Sequence, residues 1–577
     1  MTAEPEFRAV VEAWIADDPD PGDRAELRGL LDRAGADAGS PAGEAALAEL
    51  RDRFAGRLEF GTAGLRGVVA AGPNRMNRAV VRGATAAVAG WLLGTSGTSG
   101  VRVAVGCDAR HRSAEFAAEA AGVLAGAGIE VHVLPLPCPT PLLAFSVRHL
   151  GASAGVMITA SHNPAADNGY KLYLSDGAQV IPPADAQIEE RIAGLGPLSR
   201  VPVADAGSPL ITRHGDEVAQ AYLAAVVAMA AGPAAGTPDE RRALTVVYTP
   251  MHGVAGTLMQ RAMGQAGFAP PHVVAKQAEP DPDFPTVAFP NPEEPGALDL
   301  ALADARRLDA DLLVASDPDG DRLAVAVPVP GGDWRVLTGD QVGALLGASL
   351  LERTAADQAA EARLVATTIV SSTLLSRVAA AAGVGYAETL TGFKWIARAA
   401  DPVPGARFLF GYEEALGYAV GGVVRDKDGI GAALAMLRLA SDARAALCSV
   451  LDRYDELETA HGVHLTSQVT LRTADQEQVM RRLRAAPPAA FGSEPVSSMV
   501  DLADGGGDRG LPPADVLIFR LPGARVVLRP SGTEPKIKCY IEIVEALAGR
   551  PLASAREAAA GRLAPLRSSL EAVLAGG

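Results

Sequence analysis

The sequence is poor in cysteine and very poor in lysine, and both shortages restrict what the protein can be. Its four cysteines are scattered over 577 residues without C-x-x-C spacing: Cys107, Cys138, Cys448 and Cys539. This pattern argues against a disulfide framework and a thiolate metal site, and predicts a cytoplasmic protein. Of the 52 basic residues only six are lysine. Because lysine can lose its proton and arginine cannot, these few lysines are candidates for functional positions.

Long apolar runs and excess positive charge are also lacking. The most apolar tract, residues 218–236, is interrupted by Gln220, Gly232 and Pro233, so it predicts a buried or linker-adjacent helix rather than a membrane span. The acidic N-terminus has no signal-peptide pattern. A formal net charge of −16 disfavours binding to nucleic acid or to an anionic membrane. It does not exclude an anionic small molecule, which depends on a local site. Nothing in the sequence indicates an oligomeric state.

The chain is long enough for several domains, since a single hydrophobic core rarely serves more than about 300 residues. Residues 1–55 predict a helical N-terminal extension. A β–α–β pattern then recurs in residues 56–215, 216–337 and 338–460, and predicts three similar α/β domains with mixed, mainly parallel sheets. Residues 461–577 differ and predict an α+β domain. We expect the four domains to surround one central cleft.

Polar motifs follow apolar strands at three places, and α/β sheets bind ligands at such strand ends. The strands at 154–158, 311–315 and 407–410 precede residues 159–164 (TASHNP), 317–322 (DPDGDR) and 411–417 (GYEEALG).

Ser161, in the first motif, is a candidate nucleophile. A plain turn with an Asn-mediated backbone hydrogen bond is the alternative. A Ser-His-Asp hydrolase triad fits poorly, because G-x-S-x-G is lacking and adjacent residues seldom place a nucleophile beside its base.

The second motif has three carboxylates at alternate positions, Asp317, Asp319 and Asp321, which repel one another unless a cation binds. An EF-hand is excluded, since Arg322 and Pro328 occupy the positions of its glycine and glutamate. A solvated acidic turn is the alternative. Three monodentate carboxylates leave room for a phosphate oxygen and suit Mg²⁺. Together with Ser161 they predict phosphoryl transfer through a serine.

Two further segments fit a phosphorylated ligand. Residues 529–536 offer a guanidinium, two hydroxyls, a glycine amide and an amine, which predicts a phosphate clamp; a polar hairpin loop is the alternative. Residues 411–417 place two acids in a turn that could accept sugar hydroxyls. The glycine-rich turn at 61–67 is a weaker signal.

In this order and spacing, the motifs resemble the α-D-phosphohexomutase superfamily, which includes phosphoglucomutase and phosphomannomutase. The resemblance extends over residues 59–544 and implies a heart-shaped enzyme of four domains. It implies that Ser161 carries a phosphoryl group, and that Asp317, Asp319 and Asp321 bind Mg²⁺ together with a phosphoserine oxygen. It assigns catalytic positions to Arg66, His162 and Lys171, with Arg66 and Lys171 moving protons. The substrate-binding positions that it implies are Arg322, Thr391, Gly392, Glu413, Ala415, Lys427, Arg529, Ser531, Gly532 and Thr533.

The implied reaction moves phosphate between the 1- and 6-positions of a sugar, with glucose expected and a sugar bisphosphate as intermediate and activator. Many hexose mutases have Gly-Glu-x-Ser at the sugar loop, whereas this chain has Ala415 in place of the serine. The variant looks like the branch of phosphopentomutases and broad phosphoglucomutases. Mannose phosphates, or pentose phosphates with transfer from the 1- to the 5-position, are the alternatives. A phosphosugar phosphatase and a non-catalytic phosphosugar sensor are more remote ones.

Overall fold

A computed structural model describes residues 5–36, 39–61, 64–97, 100–231, 239, 241, 243–355, 362–473, 475–506, 510–531 and 536–575. The chain divides into two compact units. Unit 1 comprises Met1–Gly232, Arg241–Arg335 and Gly422–Leu434, and unit 2 comprises Pro233–Glu240, Val336–Gly421 and Ala435–Gly577. Among the described residues, no helix is both long and apolar enough to cross a membrane.

Three helices begin unit 1: α1 (Pro5–Asp17), α2 (Pro21–Ala36) and α3 (Pro41–Arg53). Helix α3 starts with Ser40, whose side chain accepts the Gly43 N–H, and with a proline at its first position, as helix starts often do. The three helices bury Val11, Leu27 and Leu50 against one another, so they form a core of their own.

The remaining helices cover the sheets. They are α4 (Arg78–Ser96), α5 (Ser113–Gly126), α6 (Thr140–His149), α7 (Ala184–Ala193), α8 (Glu217–Ala231), α9 (Gly256–Gln265), α10 (Asp299–Leu308), α11 (Gly339–Arg353), α12 (Leu374–Ala381), α13 (Phe393–Ile396), α14 (Gly429–Ala445), α15 (Val450–His461), α16 (Gln476–Ala485) and α17 (Leu552–Ala575). Helix α8 accounts for the described part of the most apolar tract, which was expected to be helical.

The first sheet of unit 1 has six strands: β1 (Leu65–Val68), β2 (Arg102–Cys107), β3 (Glu130–Val133), β4 (Ala154–Ile158), β5 (Asp167–Leu174) and β6 (Ile211–Arg213). Their order is β1-β5-β4-β2-β3-β6. Strands β4, β2, β3 and β6 are parallel, and β1 and β5 are antiparallel to their neighbours. The neighbouring strands β2 and β4 therefore end at the same edge.

The second sheet of unit 1 has the order β11-β10-β9-β7-β8. Its strands are β7 (Val246–Thr249), β8 (His272–Val273), β9 (Leu312–Ser316), β10 (Leu323–Pro328) and β11 (Trp334–Val336). Strands β9 and β10 pair in antiparallel register, with Ser316 opposite Leu323. The aspartate motif is thus the connection of a hairpin.

The first sheet of unit 2 has the order β13-β12-β14-β15. Its strands are β12 (Arg363–Thr368), β13 (Gly385–Thr389), β14 (Arg407–Glu413) and β15 (Gly417–Val420). The sequence predicted that β14 would end at residue 410, which is wrong. The strand continues to Glu413 because β15 pairs with it, Glu413 opposite Gly417, and only residues 414–416 form the loop.

The second sheet of unit 2 is antiparallel, in the order β16-β22-β21-β20-β19. Its strands are β16 (Val463–Arg472), β19 (Ser498–Asp501), β20 (Leu517–Leu521), β21 (Ala524–Pro530) and β22 (Lys536–Glu545), and β17 (Ala490–Phe491) pairs separately with β18 (Glu494–Pro495). The sheet and α17 share one core with Leu566 and Leu570. These sheets confirm the predicted fold class. It consists of three α/β domains with mixed, mainly parallel sheets and a C-terminal α+β domain.

Candidate active site

Ser161 lies in a tight turn directly after the buried strand β4. Its φ of 54° is in the left-handed region, and the Thr159 hydroxyl accepts its backbone N–H at 2.9 Å. The Ser161 hydroxyl lies 3.1 Å from Asp317 Oδ2 and 3.2 Å from His162 Nδ1. The turn therefore sets the candidate nucleophile against a carboxylate of the aspartate motif.

The three aspartates form one buried cluster between β9 and β10. Asp317, Asp319 and Asp321 are all 0% exposed, and one carboxylate oxygen of each lies within 4.8 Å of the others. Gly320 turns the connection with a φ of 71°, and a Cβ there would lie only 2.7 Å from the Ala255 Cβ. Within the described residues, Asp319 Oδ1 and Asp321 Oδ1 are buried and accept no hydrogen bond. Buried anionic oxygens without partners are rare, and here they fit a hard cation.

Two buried lysines compensate part of this negative charge. Lys171 Nζ, on β5, lies 2.7 Å from Asp319 Oδ2 and 3.1 Å from Asp321 Oδ2. Lys427 Nζ lies 3.2 Å from Asp321 Oδ2. Burial by itself would lower the pKa of Lys171, but Asp319 and Asp321 raise it. Burial would likewise raise the pKa of Asp319, and the Lys171 ammonium lowers it.

Asp317 behaves differently. Burial raises its pKa well above the ordinary range, and the charges of Asp319 and Asp321 add to this effect, although the charge of the Arg322 guanidinium acts to lower the pKa. Its Oδ1 accepts the Arg322 backbone N–H at 3.0 Å. A bound cation would remove this penalty, which is a second reason why the cluster suits one.

Lys427 reaches the cluster because its acidic neighbours, Asp426 and Asp428, form hydrogen bonds with other residues of unit 1. Asp426 Oδ2 accepts the Tyr173 hydroxyl at 2.7 Å and the Gln179 amide at 2.8 Å. Asp428 Oδ1 accepts the Tyr222 hydroxyl at 2.8 Å. The sequence placed Lys427 among the substrate-binding residues, and the structure adds its contact with a carboxylate of the cluster.

The other predicted catalytic groups surround the Ser161 turn. Arg66, on β1, donates to Asn163 Oδ1 at 3.4 Å, and its buried Nε donates no hydrogen bond to any residue that the structure describes. Burial lowers the pKa of Arg66. Burial also lowers the pKa of His162 well below its ordinary value, with help from Arg322 and Arg66, so the imidazole is neutral at pH 7. The Arg322 guanidinium lies 3.7 Å from Glu293.

Unit 2 contains the predicted sugar loop. Glu413 Oε1 accepts the Gly392 N–H at 2.7 Å, which connects the Thr391–Gly392 turn to β14. The Tyr540 hydroxyl forms a hydrogen bond with the side chain of Glu414, the next residue of the loop. Burial, with the charges of Glu413 and Asp340, raises the pKa of Glu414 to about 7. Ala415 follows in the same loop and is partly exposed.

The predicted phosphate clamp lies on the strands next to Tyr540. Arg529 on β21 pairs with Lys538 on β22, and the Ser531 N–H donates to the Lys536 carbonyl at 2.8 Å. Because Tyr540 follows Lys538 on β22, the sugar loop and the described part of the clamp belong to one assembly within unit 2. Gly532 and Thr533, also predicted for the clamp, lie outside the described residues, as do Thr62 and Ala63 of the glycine-rich turn.

Four domains of one family match the chain in order. They are described as phosphoglucomutase/phosphomannomutase alpha/beta/alpha domain I, at residues 57–196, domain II at 220–331, domain III at 338–457 and the C-terminal domain at 472–554. The chain belongs to the phosphoglucomutase/phosphomannomutase family. The predicted superfamily and the mutase type of isomerase are thereby confirmed.

This chain is also similar to individual proteins of known name or structure. The Haemophilus influenzae protein named "Probable phosphomannomutase" is 39% identical over 477 residues, covering 81% of this chain and 93% of its own. Human phosphopentomutase is 35% identical over 531 residues, 86% of each chain. The crystal structure of a family protein from Burkholderia thailandensis has a TM-score of 0.65 at 21% identity and covers 89% of this chain and 97% of its own, which shows a common fold.

Sequence reasoning missed two residues that contact the candidate site. Thr140 donates its hydroxyl to Asp319 Oδ2 at 2.6 Å and its N–H to the Asp319 carbonyl at 2.9 Å. Arg110 contacts the backbone of the Ser161 turn. Arg110 could have been found, since Asp108-Ala109-Arg110 directly follows β2, the neighbour of β4. Thr140 carried no such signal, because its partner lies 179 residues away.

Proposed function

We propose that the protein is a phosphosugar mutase that interconverts glucose 1-phosphate and glucose 6-phosphate through a phosphoserine and a glucose bisphosphate. The observation that carries this proposal is the position of the Ser161 hydroxyl, 3.1 Å from a carboxylate in a buried cluster of three. Phosphoryl transfer depends on positioning and charge neutralisation, and this arrangement offers both.

In the first half-reaction the free hydroxyl of the sugar monophosphate attacks the phosphorus on Ser161. A new O–P bond forms, the Oγ–P bond breaks, and Oγ takes the electron pair and, in the end, the proton of the sugar hydroxyl. The neutral His162, whose Nδ1 lies 3.2 Å from Oγ, and the nearby Arg66 and Lys171 are the groups that we assign to this proton movement. In the second half-reaction the Ser161 hydroxyl attacks the other phosphate of the bisphosphate. A new Oγ–P bond forms and the sugar O–P bond breaks. The sugar oxygen takes the electron pair and the proton that Oγ gives up, so the isomeric monophosphate leaves and phosphoserine is restored.

Asp317, Asp319 and Asp321 would hold Mg²⁺. This assignment is supported by Asp319 Oδ1 and Asp321 Oδ1, which are buried and accept no hydrogen bond from the described residues. When bound, the cation would neutralise phosphoryl oxygens and lower the barrier to their transfer. Arg322 and Lys427 add positive charge beside the same cluster. A sugar bisphosphate would serve as activator, because it phosphorylates Ser161.

The recognition of the sugar phosphate belongs to groups of unit 2. Arg529 and Ser531, with Gly532 and Thr533, would hold the phosphate that is not transferred, so that remote binding energy orients the reacting end. Glu413 would accept hydrogen bonds from sugar hydroxyls, and the Thr391–Gly392 turn that it holds would line the same place.

Mannose phosphates and pentose phosphates are the alternative substrates, and the pentose alternative has its own support. Ala415 offers no hydroxyl where many hexose mutases have serine, and a relative covering 86% of this chain is named phosphopentomutase. The loss of one hydrogen bond is worth about 1 kcal/mol, enough to shift a preference between sugars but not the type of reaction.

Intact-mass measurement after incubation with glucose 1,6-bisphosphate tests the proposal. The wild type should gain about 80 Da, the mass of one phosphoryl group, on Ser161. Ser161→Ala should gain nothing and should lose all turnover, while its affinity for glucose 6-phosphate changes little. Wild-type-like turnover in this variant would exclude a phosphoserine. Release of free phosphate in place of product would indicate a phosphatase, and tight binding without either product would indicate a sensor.

A further inference from the structure

Arg110 holds the backbone of the turn that contains Ser161. Its Nη2 donates to the Ser161 carbonyl at 2.7 Å and to the Asn163 carbonyl at 2.5 Å. Its Nη1 donates to the carbonyls of Pro164, at 2.7 Å, and Asp167, at 3.1 Å. One guanidinium thus donates hydrogen bonds to four carbonyls within a segment of seven consecutive residues.

The Arg110 side chain is itself held from several directions. It is only 1% exposed, and its Nε lies 3.4 Å from Asp108 Oδ2. The other oxygen of Asp108 accepts the Arg110 backbone N–H at 3.0 Å and the Ser113 hydroxyl at 2.6 Å. The Phe284 ring covers the guanidinium face, 5.0 Å from its carbon. The guanidinium therefore has little freedom to follow the turn if the turn relaxes.

We propose that Arg110 is a positioning residue that keeps Ser161 in its left-handed conformation, and that the N-terminal helices stabilise the loop that contains Arg110. The inference rests on the proposed phosphoserine mechanism. Residues other than glycine disfavour a positive φ, so the Ser161 turn needs an external support. Arg110 provides it, since without it four carbonyls would lose a charged donor and the hydroxyl would move away from Asp317.

The N-terminal helices reach the same loop through Arg112, two residues after Arg110. Arg112 Nη1 lies 2.7 Å from Asp23 Oδ1, and its Nη2 lies 2.8 Å from Asp20 Oδ2. Arg112 also has a positive φ, of 61°, at the start of α5. Asp20 and Asp23 thus restrain the loop two residues away from Arg110, which gives residues 5–53 a role in the positioning.

Lysine cannot replace Arg110, because an ammonium has three donors and lacks the planar fork that meets several carbonyls. In Arg110→Lys and Arg110→Ala we expect kcat, and the rate at which glucose 1,6-bisphosphate phosphorylates Ser161, to fall about a hundredfold, the scale of a displacement of about 1 Å. KM for glucose 1-phosphate should stay within about threefold, since other residues bind the sugar phosphate. Added guanidinium ion should restore part of the rate in Arg110→Ala and none in Arg110→Lys.

The matched control is Arg102→Ala, at the start of the strand that precedes Arg110, where the arginine side chain forms an exposed ion pair with Glu130. It should keep the wild-type rate. Equal phosphorylation rates in folded Arg110→Ala and the wild type would overturn the inference while leaving the proposed function intact. A wild type that never forms phosphoserine would instead overturn the function. If the alanine variant does not fold, the same phosphorylation rate is measured in Arg110→Lys, and a wild-type rate there would overturn the inference.

The Asp20→Asn/Asp23→Asn variant tests the N-terminal helices without touching the site. Its Ser161 phosphorylation rate should fall by about two- to fivefold, the scale of partly exposed ion pairs. Adding Arg112→Ala should cause little further loss, because the contacts of Arg112 with Asp20 and Asp23 are already broken and its pair with Glu115 lies within the start of α5. Glu12→Gln, at an exposed pair with Arg8, is the control and should have no effect. An unchanged rate in the double variant would remove the N-terminal part of the inference.

Discussion

Each unit of the molecule contains a buried cluster of charged side chains. The two clusters differ in the hydrogen bonds that their carboxylate oxygens accept. In the described part of unit 1, Asp319 and Asp321 each keep one buried carboxylate oxygen without a hydrogen bond. In unit 2, both oxygens of Glu542 are satisfied. Its Oε2 accepts from Arg525 at 2.7 Å, and its Oε1 accepts from the Thr373 N–H at 2.7 Å and lies 3.1 Å from His464 Nδ1.

The difference supports our proposal of a ligand site in unit 1 and of a structural contact in unit 2. A buried charge whose partners are complete contributes to the stability of the fold, and removing one partner is costly. A buried charge with partners missing raises the energy of the empty protein and is retained where a ligand supplies what is missing. Burial and charge alone would not have distinguished the two clusters.

Asp319→Asn should give the largest effect, and it should affect activity rather than folding. The loss of one anionic ligand should lower kcat by at least about a hundredfold, since the cluster would hold its cation less well. The thermal midpoint should stay near that of the wild type, because repulsion from Asp317 and Asp321 also falls. Kinetics over a Mg²⁺ titration, with chelation as the limiting case, and thermal unfolding are the measurements.

Asp333→Asn is the control for this variant, since Asp333 is exposed in the same domain and contacts Arg306. A strongly destabilised Asp319→Asn protein with normal turnover would show that the unit 1 cluster is structural. Undiminished turnover after exhaustive chelation would contradict the metal assignment.

Glu542→Gln should show the opposite pattern, with lost stability and nearly normal kcat in the protein that remains folded. Burial by itself would raise the pKa of Glu542, but Arg525 and the His464 hydrogen bond lower it from 4.5 to about 2. A lowered carboxyl pKa contributes stability that is complete above pH 4.5 and is lost as the pH falls toward 2, here about 3 kcal/mol.

Unfolding followed by circular dichroism between pH 2 and 7 measures that contribution. The variant should be less stable than the wild type at pH 7, and the difference should shrink toward pH 2. Glu545→Gln, three residues along β22 in partly exposed ion pairs, should change stability much less. Equal pH dependence in wild type and Glu542→Gln would refute the assignment.

Glu413→Gln should have an intermediate effect, because it changes the charge but keeps the oxygen that holds Gly392. We expect KM to rise and kcat to fall together, with kcat/KM lower by about ten- to fiftyfold, as for one charged hydrogen bond. Steady-state kinetics with glucose 1-phosphate is the measurement. Glu352→Gln, at an exposed pair with Arg453, is the control. A normal kcat/KM would place sugar recognition elsewhere.

Ala415→Ser should give the smallest change, a shift in sugar preference. Restoring a hydroxyl should move the ratio of kcat/KM values toward hexoses by about tenfold or less. The measurement is a panel of glucose, mannose, glucosamine, ribose and deoxyribose 1-phosphates, primed with sugar bisphosphate. Ala382→Ser, at an exposed helix end, is the control. A single sugar preferred overwhelmingly, with no change in the variant, would show that this loop does not select the sugar.

The sequence by itself determined the local chemistry of this protein. Apolar strands followed by polar turns predicted that Ser161 and the three aspartates lie just past strand ends, because the change from apolar to polar residues is local in the sequence. The domain classes followed from the same alternation. The predicted end of β14 was wrong, since the length of this strand depends on pairing with β15 rather than on its own composition.

Only the tertiary structure decided which side chains meet. Lys171 and Lys427 contact Asp321 from positions 150 and 106 residues away in the chain, and Thr140 reaches Asp319 across 179. No local pattern specifies such contacts, because they arise when separate sheets pack together. The sequence likewise showed that the aspartates are acidic, but only the packed structure shows which of their oxygens accept no hydrogen bond from the described residues.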